Sequence, residues 1–194
     1  MDELKRAYVD TGNALVSAVH QIANPLLDTI LEALTRLGEA EFLVPIALLM
    51  PLVFRREWWL APSMILAVLT VAVVNDELKE TLKIERPFGA TAGGESTPSA
   101  HAMTAAAAWF QVAVVARGNW RRLVITIPFL VSLSRVYLEQ HYPLDVLMGL
   151  FFGAVVAYTW YSIFHPPSSD RPVVIAHCIA GFFLGGLMIY DRLE

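Results

Sequence analysis

The stretch SRVYLEQHYPLD, residues 134–145, carries an arginine, a glutamate, a histidine and an aspartate within twelve positions, and it lies between two strongly apolar segments. Its flanks decide the fold. Downstream, residues 146–164 contain no charged side chain, and upstream residues 123–134 form a weaker apolar run that needs flanking residues to reach the same length. Similar uncharged runs occur at 58–75 and 172–190, each close to the roughly 20 residues that cross a bilayer as a helix. Residues 96–116 are free of formal charge apart from His101, and 42–54 is a further short run.

The whole chain agrees with this pattern. It has 194 residues, of which 56% are hydrophobic and 16% charged, with a mean hydropathy of +0.54. An ordinary soluble domain carries about 25% charged residues. The sequence therefore predicts an all-α integral membrane bundle of six transmembrane helices, over 38–54, 58–78, 99–116, 121–138, 144–164 and 172–190. Residues 13–35 place Leu15, Val19, Ile22, Leu26, Leu27, Ile30, Leu31 and Leu34 at roughly helical spacing, interrupted at Asn24-Pro25. This is the pattern of an amphipathic helix in the membrane interface or of one packed on the bundle. The expected organisation is a single domain over 1–194, with 1–36 interfacial and 37–194 forming the six-helix core.

Charge and cysteine content exclude several function classes. A net charge of −4 with no basic stripe argues against nucleic acid as a partner. The single cysteine, Cys178, supplies neither a disulfide framework nor a thiolate metal site. Residues 1–36 hold charges throughout and lack the compact apolar core of a cleavable signal, so the helices themselves are expected to direct insertion. Loops at 55–56, 117–122 and 165–171 hold six of the fourteen Lys and Arg. The positive-inside tendency places these loops in the cytoplasm. The raw count is not decisive, because eight cations lie on the other side, but Lys79, Arg86 and Arg135 there have a second candidate role.

That other side gathers three polar clusters. In KETLKIERP, Lys79 and Arg86 are seven residues apart, and on a continuing helix seven steps of ~100° bring them to within ~20° of one face. Pro87 then marks the expected helix end. In STPSAHAM, residues 96–103, Thr97-Pro98-Ser99 reads as a helix start, where free N–H groups favour an anion, with His101 in the first turn. In the third cluster His141 and Asp145 are four apart, so on a helix starting near Pro143 the carboxylate can accept from one ring nitrogen and leave the other's lone pair outward. Arg135 adds a planar fork suited to phosphate oxygens. Individually these residues have plain structural readings: Arg86 and Arg135 as interfacial ion pairs with Glu85, Glu139 or Asp76, and His141–Asp145 as a helix-start hydrogen bond. A metal site of His101, His141 and Asp145 is a rival. Three neighbouring cations count against it and in favour of an anion with several oxygens.

Together the three clusters resemble the type 2 phosphatidic acid phosphatase superfamily, membrane lipid phosphatases related in active-site design to vanadium haloperoxidases. The family pattern is K-x6-RP, PSGH and SR-x5-H-x3-D. Here Lys79-x6-Arg86-Pro87, Pro98-Ser99-Ala100-His101 and Ser134-Arg135-x5-His141-x3-Asp145 match in order and spacing, with Ala100 replacing glycine. That replacement bears on how closely the backbone approaches a phosphate.

The resemblance implies that His141 attacks phosphorus to form a phosphohistidine while Asp145 orients it. It implies that His101 protonates the leaving oxygen and later activates water, and that Lys79, Arg86, Ser99 and Arg135 bind phosphate oxygens. No cofactor or metal is implied. The expected partners are a lipid phosphate or polyprenyl diphosphate and the surrounding membrane lipids. The expected location is the inner membrane, with the site facing the exoplasmic side. Alternatives are a lipid-phosphate-binding or transport protein without catalysis, a phosphatase of a soluble ester, and vanadate-dependent oxidation.

Overall fold

A computed structural model of the chain describes residues 2–164. These form seven α-helices: α1 (Asp2–His20), α2 (Pro25–Thr35), α3 (Ala40–Val53), α4 (Leu60–Leu82), α5 (Ala100–Val115), α6 (Gly118–Tyr137) and α7 (Pro143–Phe164). A 3₁₀ turn, Arg36–Gly38, joins α2 to α3, and no strand occurs among the described residues. Five of the six expected spans correspond to α3–α7. The sixth, 172–190, lies outside the described residues. Only α4 and α7 are long and apolar enough to cross a bilayer on those criteria alone, while α3 and α5 are shorter apolar helices.

The segment before the core differs from expectation at its start. Helical structure begins at Asp2 rather than near residue 13, and the break falls where Asn24-Pro25 predicts. Asn24 caps α2, its Oδ1 accepting from Leu27 N at 3.1 Å, and Pro25 occupies the first helical position, where a missing N–H costs nothing. Both helices pack on the bundle: Tyr137 Oη donates to Asp28 Oδ1 at 2.9 Å, and Lys5 Nζ donates to Leu82 O at 2.8 Å.

Helix α5 forms the centre. Ala102, Ala105, Ala106, Ala107 and Ala108 are all fully buried, and such short side chains let neighbouring backbones approach. Its largest interface is with α7, where Gly149 and Gly153 stand at the small-xxx-small spacing that brings helices together without a large side chain between them. A Cβ on Gly149 would lie 2.7 Å from Ser99 O. The close crossing therefore sets the start of α5 against the start of α7.

The outer surface is apolar. Leu48, Leu49 and Leu52 on α3, Phe129 and Leu133 on α6, and Leu147, Phe151 and Val155 on α7 are all exposed. Water would not favour such a surface, and lipid tails would. Trp58 and Trp120 are exposed at the arginine-loop end, whereas Trp59 is buried in the core and Trp160 donates to Thr70 Oγ1 at 3.0 Å. Trp59 and Trp160 are thus packing residues.

Candidate active site

The site lies at the end of the bundle where α4 finishes and α5 and α7 begin. Asp145 sits in the first turn of α7 and is fully buried. Its Oδ2 accepts from Tyr142 N at 2.8 Å, the backward reach of an acidic residue in a capping box. Oδ2 also accepts from Ser96 Oγ, and Oδ1 accepts from Thr97 Oγ1 and Tyr8 Oη. Four donors hold the carboxylate before His141 is considered. Burial, with the Asp145 charge beside it, pushes the Tyr8 phenol well above its ordinary value and keeps it a donor.

His141 is almost wholly buried in the connection between α6 and α7. Glu139 turns the chain there with φ 56°, and the His141 N–H donates to Arg135 O at 3.3 Å. The ring contacts both sides of the site. Nδ1 lies 3.6 Å from Asp145 Oδ2 and 3.4 Å from Ser96 Oγ, while Nε2 lies 3.4 Å from Arg86 Nη1. Ser96 gives its one proton to Asp145, so it can only accept from Nδ1–H and thereby bridges the histidine to the carboxylate. Arginine can only donate. The partners on both sides select the tautomer with the proton on Nδ1 and the lone pair on Nε2. Burial first, then Arg135 and Arg86, lower the His141 pKa to about 4 against the opposing hydrogen bond to Asp145, so the ring is neutral at pH 7.

Arg86 reaches this point by a different route from the one its spacing predicts. Helix α4 ends at Leu82, and Lys83 takes the left-handed conformation, φ 48°. Lys79 and Arg86 therefore do not share a helical face. The chain beyond Lys83 is committed elsewhere: Ile84 O accepts from Ser96 N at 2.7 Å, and the residue before Pro87 disfavours helix. Arg86 enters from this extended segment, braced by Gly93 O at 3.1 Å and Gln140 O at 3.0 Å. Lys79 stays half-buried on the last turn of α4, within electrostatic range of Arg86. Lys83 is exposed and outside the site.

Ser99 takes the N-cap position of α5, as expected, without a side-chain capping hydrogen bond, and Asn75 Nδ2 steadies the preceding residue by donating to Pro98 O at 3.1 Å. Ala100 is the first residue of the helix and has no positive φ, so a side chain there costs no backbone strain and glycine is not required. His101 is in the first turn, its side chain 28% exposed, and its Nε2 lies 3.6 Å from Glu39 Oε1. Arg135 is buried on α6, where Nη1 donates to Thr35 Oγ1 at 3.3 Å. Two buried polar atoms have no partner among the described residues, Ser99 Oγ and Arg135 Nε. Both belong to residues expected to bind phosphate. A buried polar atom left unpaired costs about 1–3 kcal/mol, and each of these two is a donor that an acceptor oxygen would satisfy.

Of the expected site residues, the structure brings His141, Asp145 and Arg86 into contact, and Ser99 N donates to Asp145 O at 3.1 Å. His101 and Arg135 take Glu39 and Thr35 as polar partners instead. Among the described residues no group of three His, Cys, Asp or Glu is placed to hold a metal. Sequence reasoning misses Ser96, Thr97, Tyr8, Gln140 and Glu39. The run Ser96-Thr97 beside the PSAH motif is a legible signal; Tyr8, 137 residues from Asp145, has none.

Comparison with known proteins accords with this geometry. A family model described as PAP2 superfamily matches residues 56–168. The chain belongs to the PAP2 superfamily. The match spans all three motifs and the helices α4–α7 that carry them. Phosphatidylglycerophosphatase B of Bacillus subtilis (strain 168) is 30% identical over 165 residues, covering 77% of this chain and 81% of that protein. Human glucose-6-phosphatase 3 is 37% identical over 78 residues, 34% of this chain and 22% of its own length. A crystal structure of a transmembrane PAP2-type phosphatidylglycerolphosphate phosphatase from Bacillus subtilis superposes with TM-score 0.70 at 27% identity, covering 80% of this chain and 85% of that one. Aquifex aeolicus LpxE superposes with TM-score 0.65 at 24% identity, covering 77% and 93%, a likeness of fold. The chain is a PAP2 membrane protein whose described residues form helices and no strand.

Proposed function

We propose that this PAP2 protein is a lipid phosphatase that removes phosphate from a membrane lipid phosphate or diphosphate through a phosphohistidine on His141. The observation that carries the reading is the neutral His141, its Nε2 lone pair directed to the Arg86 guanidinium and its Nδ1 side held by Ser96 and Asp145. In the first step Nε2 attacks phosphorus, the ester P–O bond breaks, and His101 gives its proton to the leaving oxygen. In the second step water attacks phosphorus, His101 takes its proton, and the P–N bond breaks. Positive charge on the resulting imidazolium is balanced by Asp145. Arg86, Arg135, Lys79 and Ser99 receive the non-bridging oxygens, where fixed positive charge stabilises the transition state most.

The lipid assignment draws on the apolar outer surface and on the names of the relatives, of which the one from Bacillus subtilis acts on phosphatidylglycerophosphate. The finer architecture is part of the same proposal: six spans, α1 and α2 at the interface, and the site on the side away from the cytoplasm. The deciding experiment measures phosphate release by purified protein from phosphatidylglycerophosphate, phosphatidate, undecaprenyl diphosphate and glucose 6-phosphate in one detergent. Turnover of a lipid that disappears in His141→Ala supports the reading. Binding without turnover would establish a lipid-binding protein instead, and equal kcat/KM on glucose 6-phosphate would remove the lipid assignment.

A further inference from the structure

We propose that Glu39 is a positioning residue for His101, forming with it a second carboxylate–imidazole pair that retains the leaving-group proton on His101. This deepens the reading of His101 as the proton donor and rests on it.

The local chemistry of His101 poses the need. Around it stand Arg135 from α6, Lys79 from α4, and Arg86 and His141 from the connecting segments, all of which act on it electrostatically. Asp145 on α7 is already filled by Tyr8, Ser96, Thr97 and Tyr142. Three fixed cations suit a phosphate, but they also drive a proton off a neighbouring imidazole. A general acid must hold that proton until the ester bond breaks. Among the described residues, the one carboxylate in ion-pair contact with His101 is Glu39, 3.6 Å from Nε2. Glu41 lines the same hollow of about 490 Å³ beside it.

The fold delivers Glu39 to this place by specific means. The 3₁₀ turn before it is fixed to the bundle at its middle and at its N-cap: Trp109 Nε1 donates to Leu37 O at 2.9 Å, and Arg135 reaches Thr35. Gly38 presses directly on α5 and α6, where an added Cβ would lie 2.6 Å from the His101 carbonyl oxygen on α5 and 2.9 Å from Val131 Cγ1 on α6. Only a glycine allows that approach, and the next residue is Glu39. It is the N-cap of α3, a position that favours Ser, Thr, Asp or Asn, yet its side chain makes no capping hydrogen bond. The carboxylate is turned to His101 instead. With Nε2 against Glu39, Nδ1 is the nitrogen that exchanges a proton with the substrate. Glu39 lies outside residues 56–168, the segment matched by the family model.

The test compares leaving groups, because an aryl ester departs without protonation and an alkyl lipid ester does not. In Glu39→Gln, kcat/KM for a lipid monophosphate should fall about tenfold or more, a fraction of the 10²–10⁴ that general acid catalysis contributes. For p-nitrophenyl phosphate it should stay within about twofold, since kcat/KM reports the first chemical step and that step needs no acid there. The basic limb of the lipid pH profile should move to lower pH, and Glu39→Asp should recover most of the loss. Glu39 is partly exposed, so these variants should melt with the parent protein. Equal losses on both substrates, or no loss on the lipid, overturn the inference. His101→Ala distinguishes the levels: if it also fails to discriminate between the esters, the assignment of His101 as acid falls and takes the Glu39 inference with it.

Discussion

Arg86 Nη1 lies 3.4 Å from Nε2 of His141, the ring nitrogen opposite the one that Ser96 and Asp145 hold. A guanidinium beside that lone pair is placed to donate to the oxygens of a phosphoryl group whose phosphorus meets Nε2 in the proposed first step. Its braces to Gly93 O and Gln140 O hold it in that position in the structure. Preorganisation of this kind is lost when the fork is replaced by a point charge. Arg86→Lys should therefore lower kcat/KM by about 100-fold, or about 2.7 kcal/mol, the cost of removing one preorganised donor to developing charge. Parallel kinetics on wild type and variant decide this, and a loss below about threefold would show that Arg86 is only a surface cation.

Asp145 makes a different prediction, because four donors other than His141 converge on it. Hydroxyls of Tyr8, Ser96 and Thr97 can rotate away from an amide, but the Tyr142 N–H cannot. Asp145→Asn should lower kcat by about 10³–10⁴-fold through loss of the His141 tautomer. It should also destabilise the protein by about 1–3 kcal/mol through the mispaired buried groups. The joint loss, read from turnover and from denaturation in detergent, separates this carboxylate from one that only orients the ring.

The pH dependence follows from His141. Burial disfavours its charged form, so the ring remains neutral as pH falls through its ordinary value of about 6.5 and takes its proton near 4. The acid limb of kcat/KM, corrected for the substrate's own ionisation, should lie close to pH 4 and well below 6. The unfolded chain binds this proton first, so the fold loses stability as pH falls from about 6.5 to 4. An acid limb at 6–7 belonging to the free enzyme would show that His141 is solvated rather than buried.

Much of this site is legible in the sequence because its geometry is local. Ser134, Arg135, His141 and Asp145 fall within one helix end, one turn and one helix start, and their spacing alone brings His141 and Asp145 together. The start of α5 at Ser99 is equally local, with proline, an N-cap and an apolar run in sequence order. Arg86 shows the limit: its distance from Lys79 is helical, but a left-handed Lys83 and a hydrogen bond from distant Ser96 decide its path. Tyr8 and Glu39 are beyond reach, since only the packing of α1 on Asp145 and of Gly38 on α5 makes them neighbours of the motifs. The same reasoning explains α1, where polar residues near Asp2 hide a helix that tertiary contacts through Lys5 and Tyr8 hold in place.

Topology gives a fourth prediction. The arginine-bearing connections after α3 and α5 lie at the end of the bundle opposite His141. With those loops in the cytoplasm, a cysteine in place of Phe88, which is 95% exposed, should react with an impermeant thiol reagent in intact cells. A cysteine at Asn119 should react only after permeabilisation. The reverse labelling would invert the orientation without altering the chemistry.

The last prediction concerns Ser99 Oγ and Arg135 Nε, buried and without partners among the described residues. An isolated orphan can reflect local strain, but both of these donors belong to residues proposed above to bind phosphate, and oxyanion oxygens would satisfy each of them. Orthovanadate should inhibit competitively by taking that position as a mimic of the transferring phosphoryl group. Binding to the folded state alone also stabilises it, by about 2.7 kcal/mol at a hundred times Kd, so thermal melting should rise with vanadate concentration. Arg135→Met, which keeps apolar bulk and removes the unpaired N–H, should abolish the vanadate shift while raising or maintaining the basal melting temperature, since the orphan is gone. On the proposed reading the anion is held by Arg86, Arg135 and Ser99 rather than through a metal ion, so EDTA should change neither activity nor the shift. Activity lost on chelation and restored by a divalent ion would instead require a metal at His101, His141 and Asp145, with the hydroxyl protons of Ser96, Thr97 and Tyr8 displaced from the carboxylate they now fill.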